Sequence, residues 1–194
     1  MAHLTRSLGR NAENRLFKEW GGKPTTIWLS HQDNNLDPMT TARYHLFLTQ
    51  NVPNWRAPDA TEECKDFEKA SLVYDSAVRW LRESTRDKSK FKLLFQENIS
   101  YGFRRNLYGL KKLGIFISIS CLLINVMATY RIFTSDTTGL EVVGWASLAV
   151  CALVFLSWTC VIKKSWVRDA ANGYARALLA SCDQLAYEDA SREV

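Results

Sequence analysis

Two apolar runs in the second half of the chain, residues 113–133 and 142–162, each extend for 21 residues without a carboxylate, and Arg131 is their only charged side chain. At ~1.5 Å per residue, a helix over either run is long enough to cross a hydrocarbon core of ~30 Å. Eight residues, 134–141, separate the runs, so the chain must enter, turn and return. The pattern predicts a membrane protein with a transmembrane helical hairpin. Burial inside a soluble core would account for the apolar character, but not for the cations gathered outside both distal ends.

Those cations set an expected orientation. Arg104, Arg105, Lys111 and Lys112 precede the first span and Lys163, Lys164 and Arg168 follow the second, whereas the connecting loop offers only Asp136 and Glu141. The positive-inside rule then places both termini in the cytoplasm. Tyr130 and Trp145 would mark one interface, Tyr108 and Trp166 the other. Residues 1–20 carry scattered Arg, Lys and Glu without an apolar core, so no signal peptide is expected there and the first span directs insertion.

The predicted fold class is all-α and oligomeric: a cytoplasmic helical domain over residues 1–110, the hairpin over 111–164, and a cytoplasmic helical tail over 165–194. The polar part is large enough for one modest core. Its charge is uneven. From Arg79 to Lys112 ten Lys or Arg residues face three carboxylates, Glu83, Asp87 and Glu97. Such a surplus next to a bilayer attracts anionic headgroups at ~1 kcal/mol per well-placed cation. Cys64, Cys121, Cys151, Cys160 and Cys182 form no CxxC pattern, and His3, His31 and His45 lack zinc-site spacing, so no metal or cofactor is expected.

Along the polar part, residues 1–20 have helical periodicity and Gly21-Gly22-Lys23-Pro24 ends it. Gly22-Lys23 is not a phosphate-cradling motif, because Phe17 occupies the first glycine position and Pro24 stands where Ser or Thr would meet magnesium. Ile27-Trp28-Leu29 reads as a short extended or buried element, 39–50 as a helix and 51–58 as a linker. Asp59 and Glu62 form a capping box that opens one long helix through about Ser84, burying Phe67, Val73, Tyr74, Ala77, Trp80 and Leu81. After a charged corner at 85–89, apolar periodicity resumes at Phe91 and no proline intervenes before the first span, so helix is expected to run on into the membrane. Residues 163–187 repeat this beyond the second span, weakened only by Gly173.

Within the first span Gly114, Ser118, Cys121, Asn125 and Ala128 or Thr129 recur at helical spacing, and Gly144, Ser147 and Cys151 make a shorter small-residue face on the second. Two roles fit this stripe. It packs helices closely, with an interhelical Asn bond contributing ~1 kcal/mol, or it lines a narrow pore once several copies assemble. Arg131, near the outer end, reads as a snorkelling anchor.

No set of nucleophile, base and metal is recognisable. His31, Asp33, Asp37 and His45 lie close in sequence, but loops of that composition are common. The expectation is a non-enzyme.

Gly21-Gly22-Lys23-Pro24-Thr25-Thr26 with Trp28-Leu29, the segment Trp80-Leu81-Arg82-Glu83-Ser84-Thr85-Arg86-Asp87, and the hairpin together resemble the SMODS-associated and Hailong-type effectors, small two-span bacterial membrane proteins of nucleotide-signalling anti-phage defence. The resemblance is one of layout. It implies a homo-oligomer in the bacterial inner membrane whose ion channel or depolarising pore answers a nucleotide or short oligonucleotide ligand made by a signal-synthesising partner enzyme. It also makes Arg79, Arg82, Arg86, Tyr101, Arg104 and Arg105 a candidate anion receptor, with phosphates meeting the cations and bases stacking on the rings. The alternative is a membrane-anchored adaptor whose helical domain binds a partner protein. A membrane-anchored hydrolase using His31 or Asp33 is a third possibility.

Overall fold

A computed structural model describes residues 2–134 and 140–191, and every regular element in them is helical. α1 (Ala2–Trp20) is followed by a single turn α2 (Pro24–Ile27), then α3 (Pro38–Asn51), α4 (Ala60–Lys65), α5 (Phe67–Ser84) and α6 (Lys92–Gly109). α7 (Lys111–Thr134) and α8 (Leu140–Leu156) follow, a π-helical turn Ser157–Val161 extends α8, and α9 (Lys164–Ala190) ends the chain. Of the loop expected to join the spans, residues 135–139 with Asp136 lie outside the described residues, whereas Thr134 ends α7 and Leu140 and Glu141 begin α8.

Two helical segments, Lys111–Thr134 and Val142–Val161, are long and apolar enough to cross a bilayer, with mean hydropathy 2.0 and 1.9. The chain divides into two compact units. One comprises Met1–Asn14 with Phe103–Val167, the other Arg15–Gly102 with Arg168–Val194, so the boundaries fall inside α1, α6 and α9.

The second unit has a core of its own. Trp28, Leu29, Leu48, Tyr74, Ala77, Val78, Leu81, Leu178 and Leu179 are all buried, gathering α3, α5 and α9 around the α2 turn. Capping explains its boundaries. Asp37 accepts from the Thr40 N–H at 2.9 Å to start α3, behind which Pro38 supplies a preset φ. The expected capping box is present, with Asp59 accepting from Glu62 N–H and Glu62 accepting from Asp59 N–H at 3.0 Å.

Four expectations need correction. The long helix from Asp59 to Ser84 is two helices, because Asp66 adopts φ −149°, ψ 83° and recaps the chain through the Lys69 N–H at 2.9 Å. Its buried face shifts accordingly: Ala70, Asp75 and Val78 join Tyr74, Ala77 and Leu81, while Phe67 is exposed. Of the two readings of Ile27-Trp28-Leu29 the buried one holds and the extended one does not, since the segment ends a helical turn with Trp28 and Leu29 buried. The run from α6 into the first span breaks at Leu110, whose N–H reaches both Asn106 and Leu107 carbonyls at 3.2 and 3.1 Å. A Cβ on neighbouring Gly109 would stand 2.7 Å from the Gly9 nitrogen, so a close crossing of α1 coincides with the interruption. On the C-terminal side α9 runs straight through Gly173, and the break comes at Ile162 instead, with ψ 86°.

Candidate functional site

The charged turn between α5 and α6 builds the first site. Thr85 caps α5 and its hydroxyl donates to the Leu81 carbonyl at 2.8 Å. Asp87 then accepts from the Ser89 N–H at 2.8 Å, holding a tight turn whose Arg86 and Lys88, with Arg82 from the last turn of α5, line one cavity of about 260 Å³. Phe95 and Asn98 of α6 and Tyr174 of α9 line it as well. The Arg82 guanidinium lies 5.9 Å from the centre of the Tyr174 ring, and the Lys88 ammonium 4.6 Å from that of Phe95. Tyr174 is in turn stacked on buried Tyr101, with centroids 6.1 Å apart. Arg86 pairs with exposed Glu83 at 2.6 Å. Because both partners are solvated, that pair is weak and exchangeable. The cavity is just below the usual ~300 Å³ lower bound for organic-ligand pockets, which suits one phosphate and part of a planar ring.

Of the expected anion receptor, the structure brings Arg82 and Arg86 together, with Tyr101 one layer behind. Arg79 belongs to a different cluster: it donates to Asp75 at 3.0 Å, and Lys23 donates to the same carboxylate at 2.7 Å. Burial acts to raise the Asp75 pKa, but these two cations outweigh it and hold the carboxyl below its usual range. The Gly21-Gly22 turn, at φ +82° and +146°, delivers Lys23 to that pairing. Arg104 and Arg105 lie in the other unit. Arg104 donates to the Trp166 carbonyl at 3.0 Å and lies 5.0 Å from its ring centre; Arg105 meets Glu13 at 3.1 Å. The pocket residues Lys88, Phe95, Asn98 and Tyr174 were not anticipated. Lys88 could have been found from the local charge surplus, but nothing short of the fold links Tyr174 to residue 82.

The hairpin supplies the second arrangement. α7 and α8 pack antiparallel, and most of the small-residue stripe lies between them. A Cβ on Gly114 would run into the Trp158 ring, and one on Gly144 would meet Thr129 at 3.0 Å. Ser147 donates its hydroxyl to the Asn125 carboxamide oxygen, whose nitrogen lies 3.4 Å from the Cys151 sulfur. Gly114, Ser118 and Thr129 are the buried residues of α7, whereas Cys121 and Ala128 are exposed. Exposed apolar side chains such as Phe116, Leu123, Ile124 and Met127 cover the outer faces. At the base of the hairpin Lys111 donates to the Thr159 and Ile162 carbonyls at 3.3 and 2.6 Å, satisfying acceptors released by the π turn.

His31 and His45 do meet, with ring centres 5.0 Å apart, but around Glu63, which no sequence spacing links to them. Glu63 is fully buried and accepts from the Ser30 hydroxyl, the His31 N–H at 3.0 Å and the Tyr74 hydroxyl at 2.9 Å. Burial pushes the Glu63 pKa up, yet the three donors outweigh it and leave it below the usual value. Burial also lowers His45, whose Nε2 lies 2.7 Å from the Leu29 carbonyl oxygen. Asp33 and Asp37 are elsewhere, engaged in an Asn35 turn and the α3 cap. Among the described residues no group of three or more His, Cys, Asp or Glu is arranged to hold a metal ion.

No family model, no curated protein and no solved structure matches this chain.

Proposed function

We propose that the chain is a membrane-embedded signalling effector. In this reading several copies assemble through their hairpins, both termini face the cytoplasm, and a small phosphorylated ligand at the Arg82–Arg86–Lys88 pocket biases the spans between a closed and an ion-leaking arrangement. One observation carries it: the pocket is walled by α6 and by α9, the helix that leads into the first span and the helix that leaves the second. A ligand that bridges Arg82, Asn98 and Tyr174 therefore acts on both connections at once. The breaks at Leu110 and Ile162 supply the short pivots such a motion needs. A nucleotide is the preferred ligand class, since cations and rings alternate around the cavity and the layout resembles that of nucleotide-signalled anti-phage effectors of the bacterial inner membrane.

The test is ion flux from liposomes holding the purified protein, challenged with a panel of mono-, di- and cyclic oligonucleotides. Flux that requires one nucleotide and is lost in Arg82→Ala supports the reading. A protein that stays monomeric and passes no ions under any of them removes it.

A second reading, a membrane-anchored adaptor, is favoured by a different observation: the polar stripe is largely occupied between α7 and α8 of a single chain. Exchanging the hairpin for an unrelated two-span anchor preserves activity for an adaptor and abolishes it for a channel.

A further inference from the structure

The start of α1 belongs with the hairpin and not with the core of the other unit. It crosses the end of α6 at nearly bare backbone: Gly9 abuts Asn106, and a Cβ on Gly109 would stand 2.7 Å from Leu8 and Gly9 backbone atoms. The Glu13–Arg105 pair at 3.1 Å fixes the direction as antiparallel. Residues before Gly9 therefore continue past Gly109 toward Lys111 and the first span, at ~1.5 Å per residue. The inward face of this segment is Thr5, Leu8, Gly9 and Ala12, and the outward face carries Arg6 and Arg10, one turn apart and exposed.

The same unit exposes Lys112 at the start of α7, and Lys163 and Lys164 where the chain leaves the π turn. Arg6 and Arg10 thus lie on the segment of α1 that heads for the end of the hairpin where Lys112, Lys163 and Lys164 are exposed. Glu13, the carboxylate of α1 within this unit, is already held by Arg105. In the same unit Phe103 is 61 % exposed next to the Trp166 ring, centroids 6.5 Å apart, and the Arg104 guanidinium lies 5.0 Å from that ring's centre. Rings with an apolar body beside cations are what the headgroup layer of a bilayer accommodates.

We propose that Arg6 and Arg10, with Lys112, Lys163 and Lys164, form a collar that binds anionic phospholipid headgroups, so that the first half of α1 lies in the headgroup layer as a third membrane contact. The proposal rests on membrane insertion of the hairpin but not on channel activity.

Full-length protein in detergent micelles is titrated with phosphatidylglycerol and, separately, phosphatidylcholine, and bound lipids are counted by native mass spectrometry. Phosphatidylglycerol is expected to be retained in preference. Arg6→Ser and Arg10→Ser each weaken it about fivefold, the effect of one surface cation, and Arg6→Lys with Arg10→Lys retains it. Lys112→Ser with Lys163→Ser, outside α1, lowers it by a similar factor per cation removed and guards against a misfolded first helix. Equal retention of both lipids, or serine variants that bind like the parent, overturns the collar. Displacement of phosphatidylglycerol by inorganic phosphate at matched concentration also overturns it, in favour of a free-phosphate site. Alkaline carbonate extraction of membranes reports insertion separately: a chain released from the pellet refutes the membrane reading itself, whereas a retained chain without lipid preference refutes only the collar.

Discussion

Lys111 donates to the Ile162 carbonyl oxygen at 2.6 Å, so one ammonium group joins the start of the first apolar helix to the residue at which the second one ends. The π turn at Ser157–Val161 leaves carbonyls without helical partners, and in an apolar surrounding each would be costly. Lys111 also reaches the Thr159 carbonyl at 3.3 Å and so satisfies two of them.

Lys111→Met should therefore destabilise the hairpin base by ~1.5–3 kcal/mol, the range for hydrogen bonds from a charged donor. Unfolding of the full chain in micelles measures this, and hydrogen exchange over residues 157–163 should rise. Unchanged exchange there would mean the ammonium holds nothing.

Gly114→Leu forces a side chain into the space of the Trp158 ring. Overpacking of this kind costs ~1–3 kcal/mol. Trp158→Ala in the same chain should recover much of it, and the double-mutant cycle shows whether the two positions are coupled.

Asn125→Leu removes the partner of the Ser147 hydroxyl. A loss of about 1 kcal/mol in hairpin stability is expected, with single-channel conductance unaltered if any is observed. A changed conductance with the same stability would place Asn125 toward water and against the contacts described above.

Glu63→Ala orphans the Ser30 hydroxyl, the His31 N–H and the Tyr74 hydroxyl inside the core. A destabilisation of about 3 kcal/mol follows from unsatisfied buried donors. Thermal unfolding followed by near-ultraviolet dichroism reads it through the packed Tyr and Trp rings.

Acid should weaken the same core in two stages. The His45 pKa is held below 6.5 by burial, and that of Glu63 below 4.5 by its donors. Both folded values are depressed, so as pH falls the unfolded chain takes up each proton first and stability is lost. The first loss begins below 6.5 and the second below 4.5. His45→Gln should abolish the upper stage and leave the lower one, as denaturation midpoints across the acid range would show.

What the amino-acid order determined by itself is what acts within a few residues. The two apolar runs, the Asp59 cap, the Gly21-Gly22 break and the all-helical character were all legible, because hydrogen bonds within a turn and residue-by-residue transfer into an apolar medium depend on neighbours alone. Asp66 shows the limit even of that: two overlapping cap signals compete, and the sequence does not say that both are used.

Only the tertiary structure decided which distant groups meet. His31 and His45 were singled out for their proximity in the chain, yet their meaning comes from Glu63 and Tyr74, which join them in a buried network with no sequence spacing of its own. Half of the expected anion receptor scattered, because Arg79 and Arg105 found carboxylates, while Tyr174 joined Arg82 from 92 residues away. Periodicity says that Gly114 and Asn125 share a face of one helix; Trp158 and Ser147 as their neighbours follow from how two helices approach. Local propensity is a property of a segment, whereas pairing is chosen by the packing of the whole chain.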